Sequence, residues 1–579
     1  MRTPAASPAA PASHPSSRGW WRWLAAAVLL SWASGCASLP ANINRTNTTA
    51  FAQPDQTPLG QLVLARRAQA AVKSDSAFHV MENVDIALAS RIALIERATR
   101  SLDLQYYAIH ADASTEVLLQ GIRDAARRGV RVRILLDDFN SVGEDAQVLR
   151  LAFLPNVEMR LFNPVPGSRD NMVGRIVTSL HDFGRMQKRM HNKMFIADNA
   201  WGITGGRNLG DAYFGTSDKQ NFVDLDVLAA GRIVRDMSAS FDRFWNDELA
   251  YPVQTLLDEK ELAALRKPDA AASAAQVPGG PGPAPTLPVT ASPTVLPAVS
   301  VAAAANADRP ALDLRSVPLY WAPATLLVDQ PGKVGPGDDE VDAGETVIDG
   351  LLSLMQAAQR DVLIVSPYFV PGEQMMGVYR QLRQRNVRIR VLTNSLASND
   401  APAAHAGYAR YRDALLKMGV EVYEMRSDPA AVANLIGSHG GGSSSGRSEK
   451  EVGTGIGIGS AAGGSKSGTQ SRASLHSKAV FIDGRLAVIG SMNLDLRSKL
   501  KNSEVGLVIR SAPLTQQATA VIERQLATGA YRLEQRNGHY HWVAPKGAGF
   551  PDSDEEPGAS TRLKVFVKLL GPFAPDAML

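Results

Sequence analysis

The chain has 579 residues, of which 45% are hydrophobic and 20% charged, a composition that is typical of globular proteins and excludes disorder over most of the length. Its 61 basic and 57 acidic side chains nearly balance, so composition gives no sign of a nucleic-acid partner, and we expect none. The single cysteine, Cys36, excludes an intramolecular disulfide and a cysteine-based zinc site.

The amino terminus is predicted to be a targeting segment. Basic residues precede an apolar run at 23–32, which has the length of a signal-peptide core and is too short for a transmembrane span of about 20 residues. Residues 33–36, Ala-Ser-Gly-Cys, resemble a bacterial lipobox, although Ala33 stands where such boxes usually carry Leu. We therefore predict a signal peptide with a lipobox at 1–36 and a lipid anchor on Cys36, in a bacterial cell envelope and facing the periplasm. The alternative is an incidental cysteine after an uncleaved anchor.

The first half of the chain contains a strand–helix–strand unit at 102–138. Two short apolar or alternating runs flank a segment whose apolar residues, including Leu118, Ile122 and Ala125, recur at helical spacing. A unit of this length implies parallel pairing of the two strands with a right-handed crossover. An α/β layer structure is therefore predicted for a first lobe at 77–250.

A group of polar residues follows in the same lobe. It comprises His191, Lys193, Asp198, Asn208 and, at the head of a later strand-like run, Asp224. Apolar residues at 194–197 indicate a strand, and positions two apart on a strand share a face, so His191 and Lys193 are predicted to point into one site. Asn208 comes after glycines, which allow close approach of the backbone.

Two low-complexity segments interrupt the rest of the chain. Residues 267–310 are rich in Ala, Pro and Gly and are predicted to be a linker. Residues 437–473 are rich in Gly and Ser and are predicted to be a disordered insertion, since closure entropy grows slowly with loop length. A phosphate-binding glycine loop is a poor alternative, because no Lys-Ser/Thr signature follows. The remaining parts are a second lobe at 311–535 and a C-terminal extension at 536–579.

The second lobe repeats both features of the first. A second strand–helix–strand unit occupies 361–395. The polar group recurs at identical spacing as His476, Lys478, Asp483 and Asn493, followed by Glu504. Among the differences between the copies, the first has Gly206 where the second has Ser491. The repetition predicts two similar α/β lobes packed as a pseudo-dimer, with one active site between them.

The doubled set of side chains has the chemistry of a phosphodiester site. Lysine and asparagine N–H groups can donate to non-bridging oxygens and stabilise developing charge, so Asn208, Asn493 and Ser491 are predicted to bind phosphate. One histidine can attack phosphorus while the other protonates the leaving oxygen. A catalytic histidine also needs a partner on its other ring nitrogen, and Asp224 and Glu504 are the candidates for that position.

Two further sets of residues have less specific predictions. Asp198 and Asp483 follow the lysines at the end of each predicted strand, and we assign them a structural role in capping the turn. Four aromatic residues end strands near the predicted pocket, and the sequence leaves open whether they line a lipid channel or pack in the core. They are Tyr106, Tyr107, Tyr368 and Phe369.

The paired motif resembles the His-x-Lys-x4-Asp signature of the phospholipase D superfamily, and the resemblance covers residues 77 to 535. The segments 205–214 and 399–412 are similar to the bacterial cardiolipin synthase C-like branch of lipoproteins. The resemblance implies two phospholipase D-type lobes. It also implies that the catalytic residues are His191 as nucleophile, His476 as acid, and Lys193 and Lys478 as charge stabilisers.

The resemblance further implies a membrane-associated phosphatidyltransferase that makes cardiolipin by phosphatidyl transfer between glycerophospholipids through a phosphohistidine intermediate. It implies a monomer working at a membrane surface without a cofactor or metal, because lysines supply the charge stabilisation. The alternatives are a hydrolytic phospholipase D that releases phosphatidic acid, a phosphodiesterase or nuclease of the same superfamily, and a lipoprotein without enzymatic activity. The sequence does not distinguish water, glycerol or another lipid as the acceptor.

Overall fold

The fold is described from a computed structural model of the chain. The structure describes residues 39–42, 45–166, 175, 182–257, 261, 263, 311–335, 345–428, 471–570 and 576. The predicted signal peptide with Cys36, the predicted linker at 267–310 and residues 437–470 of the predicted insertion lie outside the described residues. A strand begins at Arg472, so the predicted insertion boundary at 473 is too late, because a polar start does not prevent a short strand from pairing.

The helices are numbered in chain order. In the first half they are α1 Pro58–Ala70, α2 Val84–Arg97, α3 Ala113–Arg127, α4 Phe183–Gln187, α5 Arg232–Trp245 and α6 Val253–Leu256. In the second half they are α7 Val347–Gln356, α8 Gly372–Gln384, α9 Pro402–Ala409, α10 Arg412–Lys417, α11 Leu496–Leu500, α12 Ala512–Thr528 and α13 Thr561–Leu570. Side-chain caps mark several starts: Asp112 accepts from the Thr115 amide at the start of α3, for example.

The strands are numbered in the same way. In the first half they are β1 Ser76–Met81, β2 Ser101–Tyr106, β3 Arg131–Asp137, β4 Val157–Phe162, β5 Arg189–Met190, β6 Met194–Ala197, β7 Trp201–Gly205, β8 Gln220–Val223, β9 Asp226–Gly231 and β10 Ala250–Pro252. In the second half they are β11 Tyr320–Trp321, β12 Ala324–Val328, β13 Asp361–Val365, β14 Phe369–Val370, β15 Arg388–Asn394, β16 Glu421–Met425, β17 Arg472–Leu475, β18 Ala479–Ile482, β19 Leu486–Gly490, β20 Leu494–Asp495, β21 Asn502–Ser503, β22 Val505–Arg510, β23 Ala530–Arg536 and β24 His539–Val543.

In the described part of the chain, the strands form two nine-stranded mixed sheets, one in each lobe, and β11 of the second half pairs with β1 at the edge of the first sheet. The strand order is β10-β4-β3-β2-β6-β7-β9-β1-β11 in the first and β12-β22-β19-β18-β13-β15-β16-β23-β24 in the second. Strands β2 and β3 pair in parallel around α3, and β13 and β15 do so around α8. The predicted α/β class and the repeated strand–helix–strand units are therefore confirmed.

The two lobes pack against each other through a shared apolar core. One buried cluster combines residues of both halves, such as Phe241 and Trp245 of α5 with Ile522 and Leu526 of α12. Helix α5 contacts β12 of the other lobe, and α12 contacts β1, so the arrangement is reciprocal. Burial of large apolar side chains is the dominant stabilising term in such contacts. The lobes thus form a pseudo-dimer within one chain.

The second lobe extends further along the chain than predicted. Strand β24 pairs with β23 and belongs to the second sheet, so the predicted boundary between 535 and 536 falls inside a hairpin. The turn is Asn537-Gly538, and both residues have positive φ, at 52° and 80°. Asn-Gly favours the two-residue hairpin turn in which both central residues have positive φ. That signal could have placed the hairpin from the sequence.

Candidate active site

Two short inter-lobe ladders carry the predicted histidines. Strand β5 of the first lobe pairs in parallel with β21 of the second, with Met190 opposite Ser503. The next residues in register are His191 and Glu504, and His191 Nδ1 lies 3.0 and 3.1 Å from the two carboxylate oxygens. The His191 amide donates to the Ser503 carbonyl at 2.9 Å, which continues the ladder. Parallel pairing therefore sets this histidine beside a carboxylate of the opposite lobe.

The second ladder reproduces this arrangement with the lobes exchanged. Strand β17 of the second lobe pairs in parallel with β8 of the first, with Leu475 opposite Val223. His476 and Asp224 come next in register, and His476 Nδ1 lies 2.6 Å from Asp224 Oδ2. Each histidine thus takes its carboxylate from the other lobe. The sequence supplied both carboxylates as candidates but contained no signal for this exchange, since two- to four-residue strands have no periodic pattern.

The contacts at Nδ1 determine the chemistry of Nε2. A carboxylate is a hydrogen-bond acceptor, so Nδ1 carries the proton and donates to Glu504 in one pair and Asp224 in the other. The neutral ring then has its lone pair on Nε2. Both histidines are accordingly in the tautomer that a nucleophile or a general base requires.

The two predicted lysines lie beside the two histidines. Lys193 Nζ donates to the His191 carbonyl at 2.8 Å, and Lys478 Nζ donates to the His476 carbonyl at 2.5 Å. Both side chains are buried. Each lysine charge acts on the histidine of the opposite lobe as well as on its own, so the four groups share one site between the lobes.

Burial and the lysine charges both disfavour protonated imidazole. Burial lowers the pKa of His191 to about 4 and that of His476 to about 3, and both lysines act in the same direction. The carboxylates Glu504 and Asp224 oppose the shift without reversing it. Both rings are therefore neutral near pH 7 before substrate binds.

The lysines and carboxylates of the site influence each other in turn. Burial, together with the charge of Lys478, lowers the pKa of Lys193 to about 7. Burial alone would raise the pKa of Asp224, but His476, Lys478 and Arg207 outweigh it and lower that pKa to about 2. The site thus holds ionised carboxylates and lysines whose charge an anionic ligand would stabilise.

The difference between Gly206 and Ser491 has a structural cause. Ser491 Oγ donates to Glu504 and accepts from the Val505 amide at 3.0 Å, so it supports the carboxylate, and its binding of phosphate stays a prediction. A Cβ atom at position 206 would overlap the Asp224 carboxylate. Glycine is therefore required at 206, and its lack of a hydroxyl makes room for Asp224.

The two predicted phosphate-binding asparagines are buried near the histidines. Asn208 Nδ2 donates to the Tyr213 hydroxyl at 2.9 Å, and Asn208 Oδ1 accepts from the Ala108 amide at 3.3 Å. The backbone amide of Asn493 donates to Ser498 Oγ at 3.2 Å, and Ser498 Oγ in turn donates to the Glu504 carboxylate. Part of the hydrogen-bonding capacity of Asn208 is therefore already used within the protein.

Asp198 and Asp483 form equivalent backbone contacts in the two lobes. Both have positive φ, at 51° and 54°, at the turn after β6 or β18. The Asp198 carboxylate accepts from the amides of residues 99–101, at the start of β2. The Asp483 carboxylate accepts from the amides of residues 359–361, at the start of β13. Both carboxylates fix the turn and the neighbouring strand.

Aromatic rings cover both histidines. The Tyr107 ring centroid lies 5.1 Å from that of His191, and those of Tyr213 and Phe222 lie 5.3 and 4.9 Å from that of His476. Neither Tyr213 nor Phe222 had a predicted role, although Tyr213 lies only five residues after Asn208, which was the available signal.

The four strand-end aromatics divide between the two alternatives that the sequence left open. Tyr107 lies at the site, against the His191 ring, and Tyr368 lies close enough to Tyr107 and Tyr213 for both to raise its pKa. Tyr106 is buried beside Arg91, and Phe369 packs on Tyr379.

A buried ion pair that the sequence did not indicate supports Glu504 from behind. Asp329 Oδ2 accepts from the Glu504 amide at 2.9 Å and from Lys333 Nζ at 2.6 Å. Lys333 also donates to the Ser498 carbonyl at 2.9 Å, and its side chain is fully buried. The segment that precedes α7 thereby holds the backbone that carries Glu504.

Comparison with known proteins identifies the family. The family model "Cardiolipin synthase, PLD-like domain" matches residues 92–245, 351–437 and 455–526. Cardiolipin synthase C of Escherichia coli (strain K12) is 34% identical over 487 residues, which cover 83% of this chain and 92% of that protein. The chain belongs to the cardiolipin synthase family of phospholipase D-like proteins. The predicted superfamily is confirmed, and the chain is a phospholipase D-type phosphatidyltransferase.

More distant relatives agree with this family assignment. A cardiolipin synthase of Geobacillus kaustophilus (strain HTA426) is 23% identical over 456 residues, which cover 78% of this chain and 66% of that protein. The crystal structure of a phosphatidylserine synthase from Haemophilus influenzae Rd KW20 aligns with a TM-score of 0.50 and 14% identity, covering 89% of this chain and all of that one. This structural likeness shows the same fold.

Among the helices that the structure describes, none is long and apolar enough to span a bilayer. Within the same residues, no group of three or more His, Cys, Asp or Glu side chains could hold a metal ion.

Proposed function

We propose that this cardiolipin synthase family member makes cardiolipin by transferring a phosphatidyl group between glycerophospholipids at a membrane surface. The crossed pairs of histidine and carboxylate support this, because they give one site both a nucleophile and an acid. Two lysines beside them suit an anionic phosphodiester. The name of the Escherichia coli relative supports cardiolipin as the product.

In the first half-reaction, His191 Nε2 attacks the phosphorus of the donor lipid. The new P–N bond forms as the P–O bond to the headgroup breaks, and His476 gives its proton to the departing oxygen. Glu504 stabilises the positive charge that develops on His191. Lys193, Lys478 and the two asparagine amides donate to the non-bridging oxygens as their charge changes.

The protonation of His476 follows from substrate binding. Burial and the two lysines keep its ring neutral in the free enzyme, because they disfavour added positive charge. A bound phosphodiester contributes a negative charge that offsets the lysines and raises the pKa of the acid. Asp224 also favours the protonated ring. The proposed mechanism therefore requires that the bound donor lipid raises the pKa of His476 enough for its ring to carry the proton.

In the second half-reaction, a hydroxyl of the acceptor attacks the phosphohistidine. The P–O bond forms while the P–N bond breaks, and its electron pair returns to His191 Nε2. His476 takes the hydroxyl proton and is ready for the next cycle. An acceptor that is itself phosphatidylglycerol gives cardiolipin, whereas water gives phosphatidic acid.

The test uses purified full-length protein and vesicles that contain phosphatidylglycerol labelled in its phosphate. We expect labelled cardiolipin as the main product, and loss of turnover in His191→Ala and in His476→Ala, because nucleophile and acid act as a unit. Acid-sensitive label should be trapped on His191 after rapid quenching. Phosphatidic acid as the sole product would establish the hydrolytic alternative, and label on His476 would reverse the two roles.

A further inference from the structure

A carboxylate outside the proposed mechanism lies at the same edge of the second sheet as the site. Asp400 stands between β15 and α9, and Tyr368 follows β13, the neighbouring strand. The Tyr368 hydroxyl donates to Asp400 Oδ2 at 2.8 Å. Both side chains are half-buried. The carboxyl ends of adjacent parallel strands meet at one edge, which brings this pair next to the catalytic groups.

The pair lies on the His476 side of the site. The Asp400 charge acts on Lys478 and on Tyr213, whose ring contacts His476. The alcohol that leaves or attacks phosphorus must lie on this side, since an in-line displacement places it opposite His191 and next to the acid. Asp400 and Tyr368 are thus positioned near the headgroup alcohol.

The hydrogen bonding of Asp400 is incomplete. Its Oδ1 atom is buried and has no hydrogen-bond partner on another residue in the described part of the chain. Leaving a buried acceptor without a donor is unfavourable, so a ligand that donates to this oxygen gains a hydrogen bond that the protein does not supply. Rotation about the Cβ–Cγ bond is soft, so either carboxylate oxygen can turn toward a ligand while the other keeps the Tyr368 contact.

In the described part of the first lobe, no carboxylate is hydrogen-bonded to the tyrosine that corresponds to Tyr368. Its tyrosine at the site, Tyr107, is hydrogen-bonded to the amide side chain of Asn140 instead. The nearby carboxylate in that lobe, Asp137, already accepts from the amides of Phe139 and Met190. A carboxylate with spare acceptor capacity is therefore found on the His476 side, where an alcohol has hydroxyl hydrogens to donate.

We propose that Asp400 and Tyr368 form a polyol subsite, in which they bind one hydroxyl of a glycerol headgroup while a neighbouring hydroxyl oxygen of the same headgroup is bonded to phosphorus. The inference rests on the proposed function and specifies the alcohol that its site prefers. The subsite receives the leaving headgroup in the first half-reaction and the incoming one in the second. The held hydroxyl forms and breaks no covalent bond.

The test compares two donors that differ only in the hydroxyls of the headgroup. Vesicles contain either phosphatidylglycerol or phosphatidylethanol, and headgroup release is measured for the full-length protein. We expect Asp400→Ala and Tyr368→Phe to lower kcat/KM for phosphatidylglycerol on the order of tenfold or more relative to phosphatidylethanol, because only the former loses a hydrogen bond. Tyr107→Phe should leave the ratio of the two donors unchanged, and Asp413→Ala, at an exposed side chain, should leave both rates unchanged.

The subsite would be overturned if Asp400→Ala and Tyr368→Phe left the ratio of kcat/KM for the two donors unchanged. This includes an equal loss on both donors, which indicates general damage. The readout is headgroup release, so it is independent of which acceptor the enzyme uses. A protein that forms only phosphatidic acid fails the proposed function, yet its donor ratio still decides the subsite.

Discussion

Gly206 and Ser491 occupy equivalent positions in the two lobes but act differently on the neighbouring carboxylate. Ser491 donates its hydroxyl hydrogen to Glu504, whereas Gly206 leaves the space that Asp224 fills. The cause is the difference in side-chain length between glutamate and aspartate. Glu504 reaches His191 with room for Ser491 beside it, whereas the shorter Asp224 must approach the backbone at Gly206 more closely to reach His476. At the residue scale, the two halves of the site are therefore not interchangeable.

This asymmetry predicts unequal effects of single substitutions. Gly206→Ser should displace Asp224 from His476 and lower kcat by on the order of a hundredfold or more, because the acid loses its orienting partner. Ser491→Ala removes one hydrogen bond to a charged group, about 1.5–3 kcal/mol, and should cost less than Gly206→Ser. Steady-state kinetics on phosphatidylglycerol vesicles measures both.

The matched control is Gly377→Ser. This glycine lies within α8, and an added Cβ would meet only the end of the Arg380 side chain at 3.9 Å. It should retain wild-type kcat, which separates the effect of position 206 from that of any new serine. Full activity in Gly206→Ser would show that Asp224 does not need the space.

Most of the residues of the site could be predicted from the sequence, because two copies of one motif at identical spacing are a strong signal. The sequence did not indicate that Ser491 contacts Glu504, since the contact depends on the tertiary position of that buried carboxylate. Asp329 and Lys333 were missed because each acts on the segment that carries Glu504, which lies far away in the sequence. Such contacts follow from tertiary packing and leave no local pattern.

At the element scale, the inter-lobe ladders decide which histidine meets which carboxylate. Strands of two to four residues, such as β5 and β8, are too short to show a period of two, and their partners lie in the other half of the chain. The longer strands and the helices of the repeats were predicted correctly, since apolar periodicity over a full element is informative. The Asn-Gly pair at 537–538 is a local pattern that predicts the turn between β23 and β24, so the second lobe could have been extended through this hairpin from the sequence.

The described residues on either side of the predicted insertion lie next to each other. The Ala473 amide donates to the Ser427 carbonyl at 2.9 Å, so the chain leaves β16 and resumes in β17 at adjacent points. Closing a shorter loop between such points costs no more entropy than closing a long one. The segment between them is therefore not needed to bridge a distance.

We accordingly expect that deletion of 440–468 leaves the melting temperature and kcat nearly unchanged. The composition of this segment has too few large apolar residues to offset ordering entropy by burial. Thermal unfolding and turnover on phosphatidylglycerol vesicles measure the two quantities. The control deletes 538–542 in β24, which should lower the melting temperature. A large loss of turnover after removal of 440–468 would indicate that the segment contributes to the site.

At the scale of the whole molecule, the two lobes act as one body held by a shared core. The amino-terminal stretch also packs on the first lobe: Asn42 Nδ2 donates to the Glu248 carbonyl at 2.8 Å, and Arg133 and Arg160 bind carbonyls of Thr48 and Thr46. A tether at Cys36 would therefore leave the folded body close to the membrane. The sequence predicted two lobes correctly but not which surfaces of the lobes pack together. An apolar residue on an outer helix carries no information about the residue that it contacts in the other lobe.

The anchor itself is testable. Cys36→Ala should release the protein from membranes or leave it uncleaved, because acylation of this thiol is the predicted attachment. Fractionation and incorporation of a labelled fatty acid are the measurements, and Ser38→Ala is the control that should keep both. A wild-type protein that takes up no fatty acid and fractionates with soluble proteins would exclude the lipid anchor.

The exchange of carboxylates between lobes has a consequence for the order of synthesis. His191 is synthesised early, but its partner Glu504 follows 313 residues later in the chain. His476 likewise follows its partner Asp224 by 252 residues. A nascent or truncated chain that ends before the last sixth of the sequence therefore lacks Glu504 and cannot form the pair of His191 with Glu504. Such a chain lacks the partner of the proposed nucleophile, so we expect the proposed transfer activity only in a polypeptide that is complete to at least residue 504.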